Sequence, residues 1–481
     1  MQRFYEENMR AVAGLEPQAV LRQFAALSCV PRGSHHTDQI AEYCAEFARA
    51  RGLRYVKDAV GNVVIYQPGS VGREHEAPVI LQGHTDMVID RDEGCGETME
   101  TDGVRLKTDG DWLTADGTTL GGDDGIAVAL CLAVLDDPTL SHPPLEVVLT
   151  VDEEVGMDGA RALDPALLSG RRMLNMDAEA EGTLWVSCTG GARIDLALDA
   201  QTAPAAGFAH RIILSGFHGG HSGAEIHKRY ANAIHQLTAL LGEMDGLRLI
   251  SICGGSADNA IPRDAAAEIL TAAPLDPSRA EKWTAQLRQS CPRDPDLRVE
   301  LLPIDCPQTA WTAAASANAL QMLNRLPDGV IAMSEALPGL VETSLNLGLL
   351  HGDASGLVAT LSVRSSVNAR REAMQARLAQ IAAESGASFT LRSPYPAWEY
   401  RADSPLRDCM QRVYADLFGR PPVVTAIHAG LECGILSGKL PGLDCVSFGP
   451  DLLEIHTPRE RMSLPSTLRT WQFLCAVLAA L

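Results

Sequence analysis

Apolar runs of two kinds alternate along the first 180 or so residues. Residues 16–27 and 37–51 carry apolar side chains at three- and four-residue spacing, the period of an amphipathic helix. Residues 61–66, 78–82, 145–151 and 173–176 are short runs of Val, Ile, Leu and Met, the pattern of strands covered on both faces. Residues 126–135 are apolar throughout and predict a buried helix, and residues 158–168 a short one. Residues 90–112 are polar and Gly-rich and read as an irregular loop or hairpin. Strands alternating with helices predict an α/β domain with a mostly parallel sheet.

The texture changes near residue 185. Strands are predicted at 193–198, 211–215, 247–253, 268–272, 340–346, 357–363 and 388–391, and helices at 230–244, 276–290, 313–326 and 370–384. This is an α+β unit with an antiparallel sheet. The stretch 292–339 resists placement apart from its Ala-rich helix. Two α+β halves are suggested, but no repeat emerges by matching residues. Past residue 395 the α/β texture returns, with helices at 405–418, 430–437 and 464–481 and strands at 423–427 and 444–448. The expected organisation is therefore a discontinuous catalytic domain, 1–186 and 394–481, interrupted by an α+β domain, 187–393.

Polar residues collect where the strands of the α/β part end. His84-Thr-Asp86 follows one strand, Asp152-Glu153-Glu154 a second, Asn175-Met-Asp177 closes a third, and His456 lies beyond a fourth. Gly121-Gly-Asp123-Asp-Gly125 opens the buried helix. Each motif alone has a bland reading as a helix cap, a solvated acidic run or a loop residue. Together they share the carboxyl edge of one sheet, where open α/β folds bind ligands. Two imidazoles and three carboxylates (His84, Asp123, Glu154, Asp177, His456) suit two Zn²⁺ or Mn²⁺ ions sharing a bridge. Asp123, set among glycines, is best placed to bridge, with a shared water or hydroxide closing the site. Glu153 is then free to act as general base. Asp86, two residues past His84, fits a carboxylate that fixes the His84 tautomer.

Composition narrows the setting. The chain has 481 residues and a formal charge of −21, which argues against nucleic acid and anionic membranes as partners. It lacks an apolar run near the ~20 residues a bilayer needs and shows no secretory leader. Twelve cysteines without a C-x-x-C pair read as reduced residues of a cytoplasmic protein.

The same motifs resemble the dizinc M20 metallopeptidases, nearly end to end. Gly219-Gly-His-Ser-Gly223, Asn259-Ala-Ile-Pro262, Val341-Glu-Thr-Ser344, His428-Ala-Gly-Leu-Glu-Cys-Gly434 and Ser447-Phe-Gly-Pro450 look closest to the aminoacyl-histidine dipeptidase branch. The resemblance implies two Zn²⁺, with Mn²⁺ or Co²⁺ as substitutes. His84 and Asp177 would hold one ion, Glu154 and His456 the other, and Asp123 both, with Glu153 as base. The middle domain would be a lid, with room for a homodimer through it. His221, in a Gly-rich turn, could donate to the oxyanion of a tetrahedral intermediate, in its own chain or across a dimer. Asn259 and Arg364 look like ligands for the substrate's carboxylate. His428 touches substrate or caps the following helix; here the chain departs from the Gly-Gly-Thr-Asp type of turn in many relatives. The implied activity is hydrolysis of unsubstituted L-dipeptides, Xaa-His and carnosine included, by metal-bound hydroxide. The alternatives are an M20-type tripeptidase or N-acyl amino acid deacylase and, from another class, a non-catalytic metal-binding scaffold.

Overall fold

The computed structural model describes residues 3–481. The chain divides into two compact units. Unit 1 takes the chain up to Ser187, then Tyr400–Ala426 and Leu431–Leu481; unit 2 takes Cys188–Glu399 and Ile427–Gly430.

Unit 1 is built on an eight-stranded sheet. Its centre is parallel: Leu145–Thr150, Val79–His84, Arg172–Asn175 and Asp444–Ser447 lie side by side. Val79–His84 and Leu145–Thr150 are buried at every position, which is why they read as unbroken apolar runs. Antiparallel strands flank this centre, Arg54–Lys57 and Val63–Gln67 on one side and Thr183–Cys188 on the other.

The helix Gly122–Asp136 carries the deepest part of the core. Ile126 to Leu135 are all buried, each large side chain contributing about 1.5–3 kcal/mol. Gly121 precedes it in left-handed backbone, φ 68°, which glycine adopts without strain. Gly83 lets the helix start lie against the strand: a Cβ there would meet the Ala127 side chain and stand 2.8 Å from Asp124 Oδ2. Gly83→Ala would therefore push the helix start off the strand end. The helices Pro405–Phe418 and Leu464–Ala480 open on Ser404 and Ser463, whose side chains cap Arg407 and Ser466 N–H, each with proline in the first turn. The polar stretch after Asp90 is more ordered than its composition suggests. It holds a short helix, Met99–Asp102, and the hairpin Leu106–Asp109 with Trp112–Ala115. That hairpin pairs with Arg461–Ser463 in a four-stranded sheet.

Unit 2 contains the repeat that residue matching does not reveal. Its nine-stranded antiparallel sheet consists of two halves with one topology. The first half runs strand Phe208–Ser215, helix Ala233–Gly242, strands Arg248–Gly254 and Ala265–Thr271, helix Arg279–Ser290, strand Arg298–Ile304. The second runs strand Gly190–Asp199, helix Ala313–Arg325, strands Val341–Gly352 and Gly356–Ser365, helix Asn368–Glu384, strand Ser388–Tyr395. Across the sheet each half has the order fourth, first, third, second, a split βαβ arrangement. The halves join at their second strands, Ile252 opposite Gly352 and Gly254 opposite Leu350. The first half is inserted between the first strand and first helix of the second, so the copies are not consecutive. The unplaced stretch 292–339 proves to hold an edge strand, Arg298–Ile304, and Gly329–Met333, which pairs with Val341–Gly352. Alternate exposed positions and Pro303 give the edge strand a weak signature.

Candidate active site

Three sheet strands of unit 1 end at one place. His84 is the last residue of Val79–His84; Asp152-Glu153-Glu154 follows Leu145–Thr150; Asp177 follows Arg172–Asn175. Asp123 sits in the first turn of Gly122–Asp136 but outside helical dihedrals, with φ −79° and ψ 111°. The fifth group, His456, comes from the loop between Leu452–Leu453 and Arg461–Ser463.

The Asp123 carboxylate lies between the two imidazoles. His84 Nε2 is 3.1 Å from its Oδ1 and His456 Nε2 is 3.2 Å from its Oδ2. His84 Nε2 is also 3.8 Å from Asp177 Oδ1, and His456 Nε2 is 3.0 Å from Glu154 Oε1. Donor atoms of His84, Asp123 and Asp177 fall within 4.8 Å of one another, and so do those of Asp123, Glu154 and His456. A third such group is His84, Glu153 and Glu154. His84, Asp123, Asp177 and Glu154 have little exposed surface; His456 is 43% exposed and forms the open side. Asp152 and His456 hold left-handed backbone, φ 54° and 59°, at a cost of order 1–2 kcal/mol each.

Hydrogen bonds fix these groups from behind. Asp86 is fully buried, with its carboxylate 3.4 Å from His84 Nδ1. It accepts the Ser34 hydroxyl at 2.8 Å and the backbone N–H groups of Glu153 and Glu154 at 3.0 and 3.4 Å. Its backbone carbonyl lies 3.2 Å from His84 Nδ1, so Asp86 holds that imidazole through backbone and carboxylate together and both glutamates through the carboxylate. Asp124 accepts the His84 backbone N–H at 3.2 Å.

Three further residues complete the support, and none of them was assigned a role from the sequence. The Glu460 carboxylate accepts N–H groups of Leu120, Gly121 and Asp123, fixing the turn that presents Asp123. Arg32 is buried, with its guanidinium on the carbonyls of Thr85, Asp86 and Gly121. Glu432 accepts from Gln82 Nε2 and Thr150 Oγ1, both at 2.6 Å, beneath the strand ends. An acid four residues after His456 was the only local signal for Glu460. Glu432 falls inside the quoted motif that begins at His428, but neither its role there nor that of Arg32 was marked, because their partners lie far along the chain.

The electrostatics test whether cations fit. Burial pushes the carboxyls of Asp124, Asp177, Glu179, Glu432 and Glu460 up, Glu179 and Glu432 to about 7. Burial, with the negative Glu432, Glu154 and Asp123, pushes Glu153 up to about 8 against the pull of His84. Burial disfavours a charged His84, but hydrogen bonds to Asp123 and Asp86 outweigh it and raise its pKa. Hydrogen bonds to Asp123 and Glu154 raise His456 to about 10. Burial would raise Asp123, yet the two imidazoles hold it low. Without metal, protons on the imidazoles and carboxyls are the countercharge this acid-rich site requires. Dications would take their place, and a set of imidazole nitrogens and carboxylate oxygens is what Zn²⁺ and Mn²⁺ bind. The residues present fit the ions.

A second polar group lies within unit 2. Backbone N–H groups of Gly223 and Ala224 donate to His221 Nδ1 at 3.2 and 3.0 Å, which leaves Nε2–H as a donor. Burial and the Arg364 charge lower the His221 pKa and keep the ring neutral. His428 donates from Nδ1 to the Val341 carbonyl at 3.1 Å and accepts the Ser344 hydroxyl on Nε2 at 2.8 Å. Burial, with Arg364 nearby, lowers it to about 4. Both His428 nitrogens are thus engaged. Asn259 is exposed, and its carbonyl accepts the Ser222 N–H at 2.8 Å.

Comparison with known proteins agrees with the fold. Residues 80–480 match the model of peptidase family M20/M25/M40, and the chain belongs to that family. Its class is thus metallopeptidase. Over 480 residues the chain is 35% identical to the cytosol non-specific dipeptidase of Escherichia coli (strain K12), covering 98% of this chain and 99% of that protein. The structure of an aminoacylhistidine dipeptidase from Vibrio alginolyticus is 33% identical and superposes with a TM-score of 0.91 over 98% of each chain. The aminopeptidase PepT of Bacillus cereus shares the fold at 15% identity, with a TM-score of 0.57 over 97% of this chain and 99% of that one. Among the described residues, no helix is long and apolar enough to cross a membrane.

Proposed function

We propose that the chain is a cytoplasmic, dinuclear metal-dependent dipeptidase that hydrolyses unsubstituted L-dipeptides, the Xaa-His type and carnosine included. The observation that carries the metal part is Asp123, whose two oxygens face two imidazoles, each with a second carboxylate of its own. The substrate class is supported by the names of the two full-length relatives, a cytosol non-specific dipeptidase and an aminoacylhistidine dipeptidase.

In this reading His84 and Asp177 hold one ion, Glu154 and His456 the other, and Asp123 both. The ions are two Zn²⁺, with Mn²⁺ or Co²⁺ able to substitute. When bound, they supply Lewis-acid polarisation of the scissile carbonyl and acidify a water molecule. Glu153 accepts the water's proton and delivers it to the leaving amine. Its backbone is tied to Asp86, which also orients His84, so base and ligand are fixed by one carboxylate. Unit 2 acts as a lid. His221 donates from Nε2–H toward the oxygen that gains charge, and its neutral state suits that role. Arg364 and Asn259 receive the substrate's carboxylate, and His428 holds Ser344 beside them. A homodimer contact through unit 2 belongs to the same reading; the edge strand Arg298–Ile304 leaves one side of its sheet open to pairing.

The test is Glu153→Ala, assayed on dipeptides, tripeptides and N-acyl amino acids, with metal content measured alongside. The expected result is dipeptide cleavage by the parent protein and a kcat lower by about 10²–10⁴-fold in the variant, with metal retained. Cleavage confined to acyl substrates would overturn the dipeptidase reading. An unchanged rate would overturn the role of Glu153.

A further inference from the structure

Arg364 carries a positive charge on the sheet of unit 2 with no carboxylate salt-bridged to it among the described residues. The one hydrogen bond of its guanidinium among them runs from Nη1 to the Tyr395 hydroxyl, at 3.2 Å. A guanidinium only donates, so the Tyr395 oxygen is the acceptor and its own proton is directed elsewhere. Among the described residues that O–H has no other partner. Tyr395 is half-buried, so the proton is within reach of a ligand.

The backbone builds this pair deliberately. Ser344 lies opposite Arg364, Arg364 opposite Gly191, and Gly191 opposite Tyr395, so all four form one row across four adjacent strands. Residues directly opposite in register share a face. Gly191 makes the row possible: a Cβ there would stand 2.5 Å from the Tyr395 hydroxyl oxygen and 2.7 Å from Cζ. With no side chain at that position, the ring lies over the strand and its hydroxyl reaches Arg364. Arg371 fixes the other end by donating to the Tyr395 carbonyl. The ladder slips between Arg392 and Tyr395, which sets the tyrosine back into register with Gly191.

We propose that Tyr395 is a second substrate-binding donor, its O–H paired with the Arg364 guanidinium on the carboxylate of the dipeptide. The inference rests on the assignment of Arg364 to that carboxylate. An arginine alone grips a carboxylate through two N–H groups; a neighbouring hydroxyl held by the same guanidinium adds a third donor in a fixed direction. Gly191 is a positioning residue, acting through the ring it makes room for.

The experiment compares L-alanyl-L-histidine with its C-terminal carboxamide on the metal-loaded enzyme. Three variants are used: Tyr395→Phe, Gly191→Ala and Arg364→Ala. Tyr395→Phe keeps the ring and removes only the hydroxyl. Its KM for the free acid should rise about three- to tenfold, with kcat and the KM for the amide unchanged. Gly191→Ala should displace the ring and give the same selective rise. If Arg364→Ala is selective for the acid and Tyr395→Phe is not, the tyrosine inference fails and the arginine assignment stands. If neither is selective, both fail. Equal losses on acid and amide in Tyr395→Phe would also overturn the inference, since they indicate a general structural role.

Discussion

Each unit gathers two histidines, and their surroundings shift the two pairs in opposite directions. In unit 1, His84 and His456 face Asp123 from either side and are driven toward the charged form. In unit 2, His221 and His428 stand near Arg364 and are driven toward the neutral form. Burial acts in the same direction on all four, disfavouring the charged ring. What differs is the company: carboxylates in one case, a guanidinium in the other. The first group calls for cations and the second for an anion. For a metallopeptidase acting on a substrate with a free carboxylate, those are complementary demands.

The largest expected effect comes from removing the metal. Glu153, Glu179 and Glu432 hold their protons in the metal-free folded chain up to about 8, 7 and 7, against an ordinary value of 4.5. Between those limits the unfolded chain has released protons that the folded chain keeps, so stability falls as pH rises. His456 acts with the same sign. Its stabilising contribution is complete below 6.5 and is lost as pH rises toward 10. The chelated protein should therefore lose thermal stability steadily from pH 5 to pH 9. Zinc should restore about 4 kcal/mol per site at a thousandfold excess over Kd, and one fixed free zinc concentration should stabilise the chain more at pH 8 than at pH 6, where protons compete for the ligands. A metal-free melting temperature that is flat or rises with pH would break the contrast between the units.

A smaller effect separates the units by position. Asp86→Ala leaves every metal ligand in place but removes the carboxylate behind His84, Glu153 and Glu154. It should lower zinc affinity or activity about 10–100-fold. Arg364→Ala should leave zinc affinity unchanged and act on substrate KM alone. Equal loss of metal in both variants, by competition with a chelating dye, would mean that the groups are not independent.

The legible part of the site is the part that follows directly from a strand. His84, Glu153, Glu154 and Asp177 each lie at or just past the end of an apolar run, and period and punctuation place such residues on one sheet edge. His456 was legible as a late polar motif, although its loop enters through a separate small sheet. Glu460, Arg32 and Glu432 were not legible. Each satisfies backbone or side-chain groups distant in sequence, and a lone charge carries no record of a distant partner. The helices Pro405–Phe418 and Leu464–Ala480 were read to within a residue because serine caps, prolines and Gly419 mark their ends, whereas the short helices Tyr5–Ala11 and Met99–Asp102 were not read. The duplication in unit 2 was hidden for a different reason. It is a repeat of connections, not of side chains, and the insertion of one half into the other separates the matching elements.

In the proposed metal centre Asp123 belongs to two ions at once. The direct measurement is the number of zinc ions per chain in the parent protein, His456→Ala and Asp123→Ala, each dialysed against the same buffered free zinc. Two ions are expected in the parent, one in His456→Ala and none in Asp123→Ala. One ion per chain in the parent, or two retained by Asp123→Ala, would contradict that bridging role.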